Sequence, residues 1–314
     1  MPARLVGLSL SAAVVAGLLS PVAHSAENPP QPPKQAEAVG YGGAVSSVDP
    51  DATRIGIEVL REGGTATDAA VAVAAALGVT EPYSAGIGGG GYFVHYDAET
   101  GEVETIDGRE TAPRSAAEDM FVENGQPIPF DEAVTSGLSV GVPGTPLTWQ
   151  HALDKWGTKS LSEVLRPAEQ LARRGFVVDA AFREQTAENE DRFRDFPTTR
   201  ELFLPGGQLP EVGSVLRNPD LADTYRLLRT EGLKAFYEGE IGQDVVGAVD
   251  APPVDPAAER EVRPGGMTMA DLREYRTIER EPVHLEYRGL DVYGMAPGSS
   301  GGTTVGEALN ILEE

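Results

Sequence analysis

Apolar residues recur at helical spacing just behind the pair Asp49-Pro50, and they mark the first element of the fold. Ile55, Val59 and Leu60 share one helix face. Asp49 fits an N-cap, and Pro50 fits the first helical position, where its missing N–H costs nothing. Gly63-Gly64 ends the helix, because glycine accepts the left-handed conformation there. The short run Gly43–Val48 ahead of it predicts a strand. A second helix is predicted over Thr67–Leu77. Its sequence is apolar on every side, so it is buried, and its alanines let neighbours approach closely. Gly78 and Pro82 are predicted to close it.

Period-two patterning follows. Tyr92–Tyr96 and Glu102–Ile106 read as strands of a hairpin turned at Asp97–Gly101. Leu161–Arg174 and Leu221–Arg229 are the clearest later helices. Val283–Tyr287 and Leu290–Tyr293 read as strands, Ala296–Gly302 as a loop, and Thr303–Leu312 as a helix. Asp250–Gly266 is Pro-rich and charged, and is expected to be a surface insertion.

The N-terminus has a different character. Arg4 precedes a nearly unbroken apolar run, Leu5–Leu19, broken by Pro21 and followed by the small residues of Ala23-His24-Ser25. This is the pattern of an export signal over residues 1–25, cut near Ser25 or Ala26. The run is shorter than the ~20 residues a spanning helix needs. Residues 26–38, rich in Pro and Gln, are expected to be a disordered linker. The folded region is expected over 39–314, and localisation is expected to be extracellular.

Composition narrows the function classes. The formal net charge is -24 and the pI about 4.5, which disfavours nucleic acid as a partner. The chain has only four lysines. An acidic, lysine-poor surface suits an extracellular setting, and base-composition bias would give the same pattern. The absence of cysteine removes disulfides, thiolate metal sites and a cysteine nucleophile.

The chemical signals are sparse. Gly86-x-Gly88-x-x-Gly91 has a dinucleotide-binding spacing, but a helix precedes it and a strand follows, the reverse of what phosphate binding at a helix N-terminus requires. The four histidines, His24, His95, His151 and His284, show no ligand spacing. No metal or cofactor is expected. Arg109 lies just beyond a predicted strand, where a guanidinium fork can grip a carboxylate or simply sit in a surface ion pair. Ser299, Ser300, Thr303 and Thr304 carry hydroxyls, but none has an evident base to activate it. Loop structure and helix capping account for them.

Seven segments, in order, resemble the γ-glutamyltransferase family. They are Ala44–Gly64, Ala66–Ala72, Gly78–Tyr92, Asp107–Pro113, Gly141–Thr145, Gly265–Thr268 and Pro297–Gly302. The resemblance implies the large-subunit portion of an α+β, N-terminal-nucleophile hydrolase fold, an αββα sandwich made as an autoprocessing precursor. It implies a γ-glutamyl transferase and glutathione hydrolase acting through an acyl-threonine. Its partners would be glutathione or other γ-glutamyl compounds, acceptor amino acids or peptides, and its own small subunit.

The nucleophilic threonine is expected beyond Glu314. Thr303-Thr304 lacks the family's Thr-Thr-His-aromatic-Ser context and lies too early. The oxyanion glycines and the residues that grip the α-amino group also belong to the small subunit. Arg109 matches the large-subunit arginine that holds the α-carboxylate of the γ-glutamyl group. Alternatives are a related acylase, a γ-polyglutamate depolymerase, or a non-catalytic secreted fragment.

Overall fold

Asp49 starts the first helix as its sequence requires. Helix α1 spans Pro50–Arg61, and the Asp49 carboxylate accepts from the Ala52 N–H at 3.0 Å. The computed structural model describes residues 41–313, all within the larger of two compact units, 33–314. The export signal and linker expected over 1–38 lie outside the described residues. The strand predicted at Gly43–Val48 does not form. Val45 packs against the core instead, and Ser47 donates to the Asp49 carbonyl at 2.8 Å.

Helix α2 spans Ala66–Thr80 and is buried on nearly all sides. It runs past Gly78, which sequence alone made its terminus. Gly78 is where Tyr225 crosses: a β-carbon there would lie 2.7 Å from the Tyr225 hydroxyl. That hydroxyl donates to the Ala75 carbonyl at 2.8 Å. The helix closes one turn later, ahead of Pro82, because a residue before proline disfavours helical backbone.

The α2 N-terminus holds a buried carboxylate. Asp68 is fully buried and accepts from the Thr65 N–H at 2.8 Å, the Thr158 hydroxyl at 2.8 Å, and the Thr158 and Lys159 N–H groups at 3.1 Å each. Burial pushes its pKa up, but these hydrogen bonds outweigh burial and hold it below the ordinary value. The same contacts tie α2 to the loop after the helix Thr145–Trp156.

Strands β1 (Gly91–Tyr96) and β2 (Val103–Gly108) form the expected antiparallel hairpin, with Tyr92 opposite Asp107 and Tyr96 opposite Val103. A third strand, Ile278–Arg280, pairs with β2. It was not foreseen, because three residues are too few to show alternation. Side chains alternate across the sheet. On one face Phe93 and His95 stack on Trp156 of the helix Thr145–Trp156, with centroids 5.6 and 4.4 Å apart. On the other face Val94, Tyr96 and Ile278 are exposed.

The other elements depart from expectation only locally. The predicted helix over Leu161–Arg174 divides into Leu161–Val164 and Arg166–Arg174, since Pro167 has no N–H to continue the first piece. Leu221–Arg229 lies inside a helix spanning Pro219–Glu231. Val283–Tyr287 and Leu290–Gly294 pair as a hairpin, and the last helix begins two residues early, over Gly301–Glu313. Asp250 ends a helix, and the irregular surface segment 251–266 is held by arginine clamps. Arg260 binds Asp195 at 2.7 Å, and Arg263 binds Glu132 at 3.0 Å. Among the described residues no helix is long and apolar enough to cross a membrane.

Asp68→Asn should lower the unfolding free energy of the complete protein by at least about 2 kcal/mol near neutral pH, since hydrogen bonds to a charged acceptor are lost. A depressed carboxylate pKa contributes stability above the unfolded value of about 3.9, and loses it as pH falls through the folded value. Denaturant titrations should therefore show the gap between wild type and variant narrowing on acidification below that unfolded value. A gap independent of pH would contradict the role given to this carboxylate.

Candidate functional site

Strand β2 ends at Gly108, and Arg109 is the first residue beyond it. Its backbone is held from both sides. The Arg109 N–H donates to Asp107 Oδ1 at 3.0 Å, and the Tyr275 hydroxyl donates to the Arg109 carbonyl at 2.8 Å. Asp107 Oδ2 in turn accepts from Arg280 Nε at 2.7 Å, so the third strand braces the same turn.

Glycines bring the surrounding segments this close. A β-carbon on Gly144 would collide with the Gly108 carbonyl and the Tyr275 hydroxyl. The Gly144 and Thr145 N–H groups donate to the Gly89 carbonyl at 2.9 and 3.1 Å. The glycine-rich loop before β1, the turn after β2 and the start of the helix Thr145–Trp156 therefore meet at one point. Segments that the sequence placed far apart share this neighbourhood. The loop 296–300 joins it through the Gly298 carbonyl, 3.5 Å from Arg109 Nη1.

The Arg109 side chain is exposed. Its second near contact is the Tyr92 hydroxyl, 3.5 Å from Nη1. Among the described residues no carboxylate forms an ion pair with it, whereas neighbouring Arg114 pairs with Glu274 and Arg280 with Asp107. Contact with Tyr92, and then the nearby Glu110 and Asp107 charges, raise its pKa further. The guanidinium is thus a permanent cation with hydrogen-bonding capacity left over. Beside it opens a cleft of about 700 Å³, lined by Tyr83, Gly88–Gly91, Tyr92, Glu110 and Trp149 among others. A cation on an anchored turn, next in sequence to the cleft-lining Glu110 and within reach of the cleft-lining Tyr92, is suited to holding a small carboxylate.

The remaining candidates behave structurally. Ser299 Oγ accepts from the Gly301 N–H at 3.1 Å, and the Thr303 hydroxyl donates to the Ser300 carbonyl at 3.1 Å. His95 stacks on Trp156, His151 bonds Thr277 and Glu279, and His284 bonds Asp291. His24 lies outside the described residues. No cluster of metal-ligating side chains occurs among the described residues.

The sequence singles out Arg109 but not what surrounds it. A turn at Asp97–Gly101 would set Tyr92 opposite Ile106, one residue off the register that forms, in which it faces Asp107. Tyr275, Arg280 and Gly298 arrive from distant parts of the chain and carry no local signal.

The gamma-glutamyltranspeptidase family matches residues 52–314. The chain is 39% identical over 307 residues to the glutathione hydrolase proenzyme of Bacillus subtilis (strain 168), covering 97% of this chain and 50% of that protein. It is 36% identical over 314 residues to the glutathione hydrolase proenzyme of Escherichia coli (strain K12), covering 95% and 51%. The chain thus spans about half the length of these curated relatives. Among solved structures, Helicobacter pylori gamma-glutamyltranspeptidase is similar at a TM-score of 0.80 and 35% identity, over 88% of this chain and 76% of that one.

Tyr275→Phe removes the hydroxyl that satisfies the Arg109 carbonyl while keeping the buried ring. The expected loss is about 0.5–1.5 kcal/mol of unfolding free energy, the net worth of one part-buried hydrogen bond. Chemical denaturation of the complete protein measures it, and an unchanged midpoint would argue against this bond as a brace.

Proposed function

The chain belongs to the γ-glutamyltranspeptidase family and has its α+β, N-terminal-nucleophile hydrolase fold, and on that premise we propose that the complete protein is a γ-glutamyl transferase and glutathione hydrolase. Its substrates are glutathione and related γ-glutamyl amides. Arg109 is the residue of this chain that binds them, by pairing with the α-carboxylate of the γ-glutamyl group. The observation that carries this reading is its guanidinium, exposed beside the cleft-lining Tyr92 and paired with no carboxylate among the described residues.

The chemistry follows from covalent catalysis with the nucleophile supplied outside this chain. A threonine hydroxyl adds to the γ-amide carbonyl, and its proton passes to the threonine's own α-amine. The amine product leaves with a proton, and the acyl-threonine ester is then cleaved by water or by an acceptor amine. Arg109 touches no bond that breaks. It fixes the far end of the substrate, which keeps the scissile carbonyl at one distance and angle from the nucleophile.

The partner of this region is a small subunit cut from the same precursor, and the relatives' names as proenzymes support that reading. The sheet face bearing Val94, Tyr96 and Ile278, exposed at 48%, 62% and 49%, is the apolar surface suited to it. The leader over residues 1–25 directs export, so the mature protein acts outside the cytoplasm. N-terminal sequencing of secreted protein should begin at or next to Ala26, and retention of Met1 would remove the export reading.

Arg109→Lys keeps the charge and removes the planar fork. In the processed enzyme it should raise the KM for glutathione at least about tenfold, or ~1.4 kcal/mol, with a smaller effect on kcat. An unchanged KM would sink the assignment of Arg109.

A further inference from the structure

The Tyr92 hydroxyl lies 3.5 Å from Arg109 Nη1, and the proposed function leaves it without a task. Resting on the reading of Arg109 above, we propose that Tyr92 Oη is a second hydrogen-bond donor to the substrate α-carboxylate, and that it sharpens selectivity for γ-glutamyl compounds that carry this group.

Tyr92 stands opposite Asp107 across the hairpin, and Asp107 is the residue that fixes the Arg109 N–H. The same rung of the sheet therefore sets the Tyr92 side chain and the turn that launches Arg109. Their polar ends come together, with Tyr92 Oη 3.5 Å from Arg109 Nη1. Tyr92 is also one of the residues lining the cleft, so a ligand group held by both residues would sit next to it.

Hydrogen-bond accounting leads to the same place. A phenol both donates and accepts. Tyr92 Oη accepts one long bond from Arg109, and its own proton has no acceptor among the described residues. The ring alone would meet the packing needs of a strand position, so the hydroxyl is surplus to the fold.

An ionised carboxylate only accepts, with several lone-pair sites on two oxygens. A phenol O–H and an arginine N–H at 3.5 Å separation can both be satisfied by one carboxylate. Gly298 completes the enclosure: its carbonyl takes one Arg109 N–H, which turns the fork. A β-carbon on Gly298 would come 3.3 Å from Tyr92 Oη, so any side chain there would crowd the hydroxyl.

The test uses the complete, processed enzyme with Tyr92→Phe and Arg109→Lys in parallel. Two substrates are compared: glutathione, and an analogue whose γ-glutamyl group is replaced by 4-aminobutyryl, so that only the α-carboxylate is missing. Tyr92→Phe should raise the KM for glutathione about three- to tenfold, roughly 0.7–1.4 kcal/mol. Its kcat should stay within about twofold, and its KM for the analogue should not move.

Two results would overturn the proposal while leaving Arg109 its role. One is a Tyr92→Phe enzyme with wild-type KM for glutathione alongside an Arg109→Lys enzyme with a raised one. The other is an equal rise in KM for both substrates, which would reduce Tyr92 to packing. If neither substitution alters the KM for glutathione, the reading of Arg109 fails and this one falls with it.

Discussion

The site depends on one close crossing, where the chain leaving β2 at Gly108 passes the turn at Gly144. No side chain can be added at Gly144 without striking the Gly108 carbonyl or the Tyr275 hydroxyl. Because the two backbones touch, the helix Thr145–Trp156 starts directly behind Arg109. Its first N–H groups reach the Gly89 carbonyl, and the glycine-rich loop is drawn into the same cluster. The helix then covers one face of the hairpin through Trp156. Side chains added at this crossing would separate three elements at once.

Rigidity here has a directional purpose. Arg109 has its N–H held by Asp107 and its carbonyl by Tyr275, while its guanidinium remains exposed. The charged tip forms no ion pair among the described residues, which costs little at an exposed site, where such a pair contributes about 0–1 kcal/mol. Elsewhere the protein does form such pairs: Arg263 reaches Glu132, Arg260 reaches Asp195, and Arg280 reaches Asp107.

Most of this fold was legible from local rules. The Asp49 cap, the all-apolar second helix and the hairpin around Asp97–Gly101 follow from capping chemistry and periodicity, and each formed. The misses have physical causes. Gly78 reads as a helix stop because a sequence cannot show that Tyr225 will fill the space. Gly43–Val48 has strand composition but meets no partner strand, since pairing is a tertiary property. In the site, Arg109 was singled out through its motif, while the pairing of Tyr92 with Asp107 was missed by one residue of hairpin register. Tyr275 and Arg280 were not, because contacts across more than a hundred residues leave no trace in local spacing.

The open side of the hairpin has a consequence for the life of the chain before assembly. Strand β1 lies at the sheet edge, so its outer N–H and C=O groups lack a neighbouring strand among the described residues. Its sequence, Gly91-Tyr92-Phe93-Val94-His95-Tyr96, has no proline, lysine, arginine or acidic residue, and those are the usual guards of a strand edge. A short, uncharged, aromatic segment of this kind is a template for intermolecular strand addition. The residues that present the hydroxyl beside Arg109 are therefore also an edge open to cross-β misassembly.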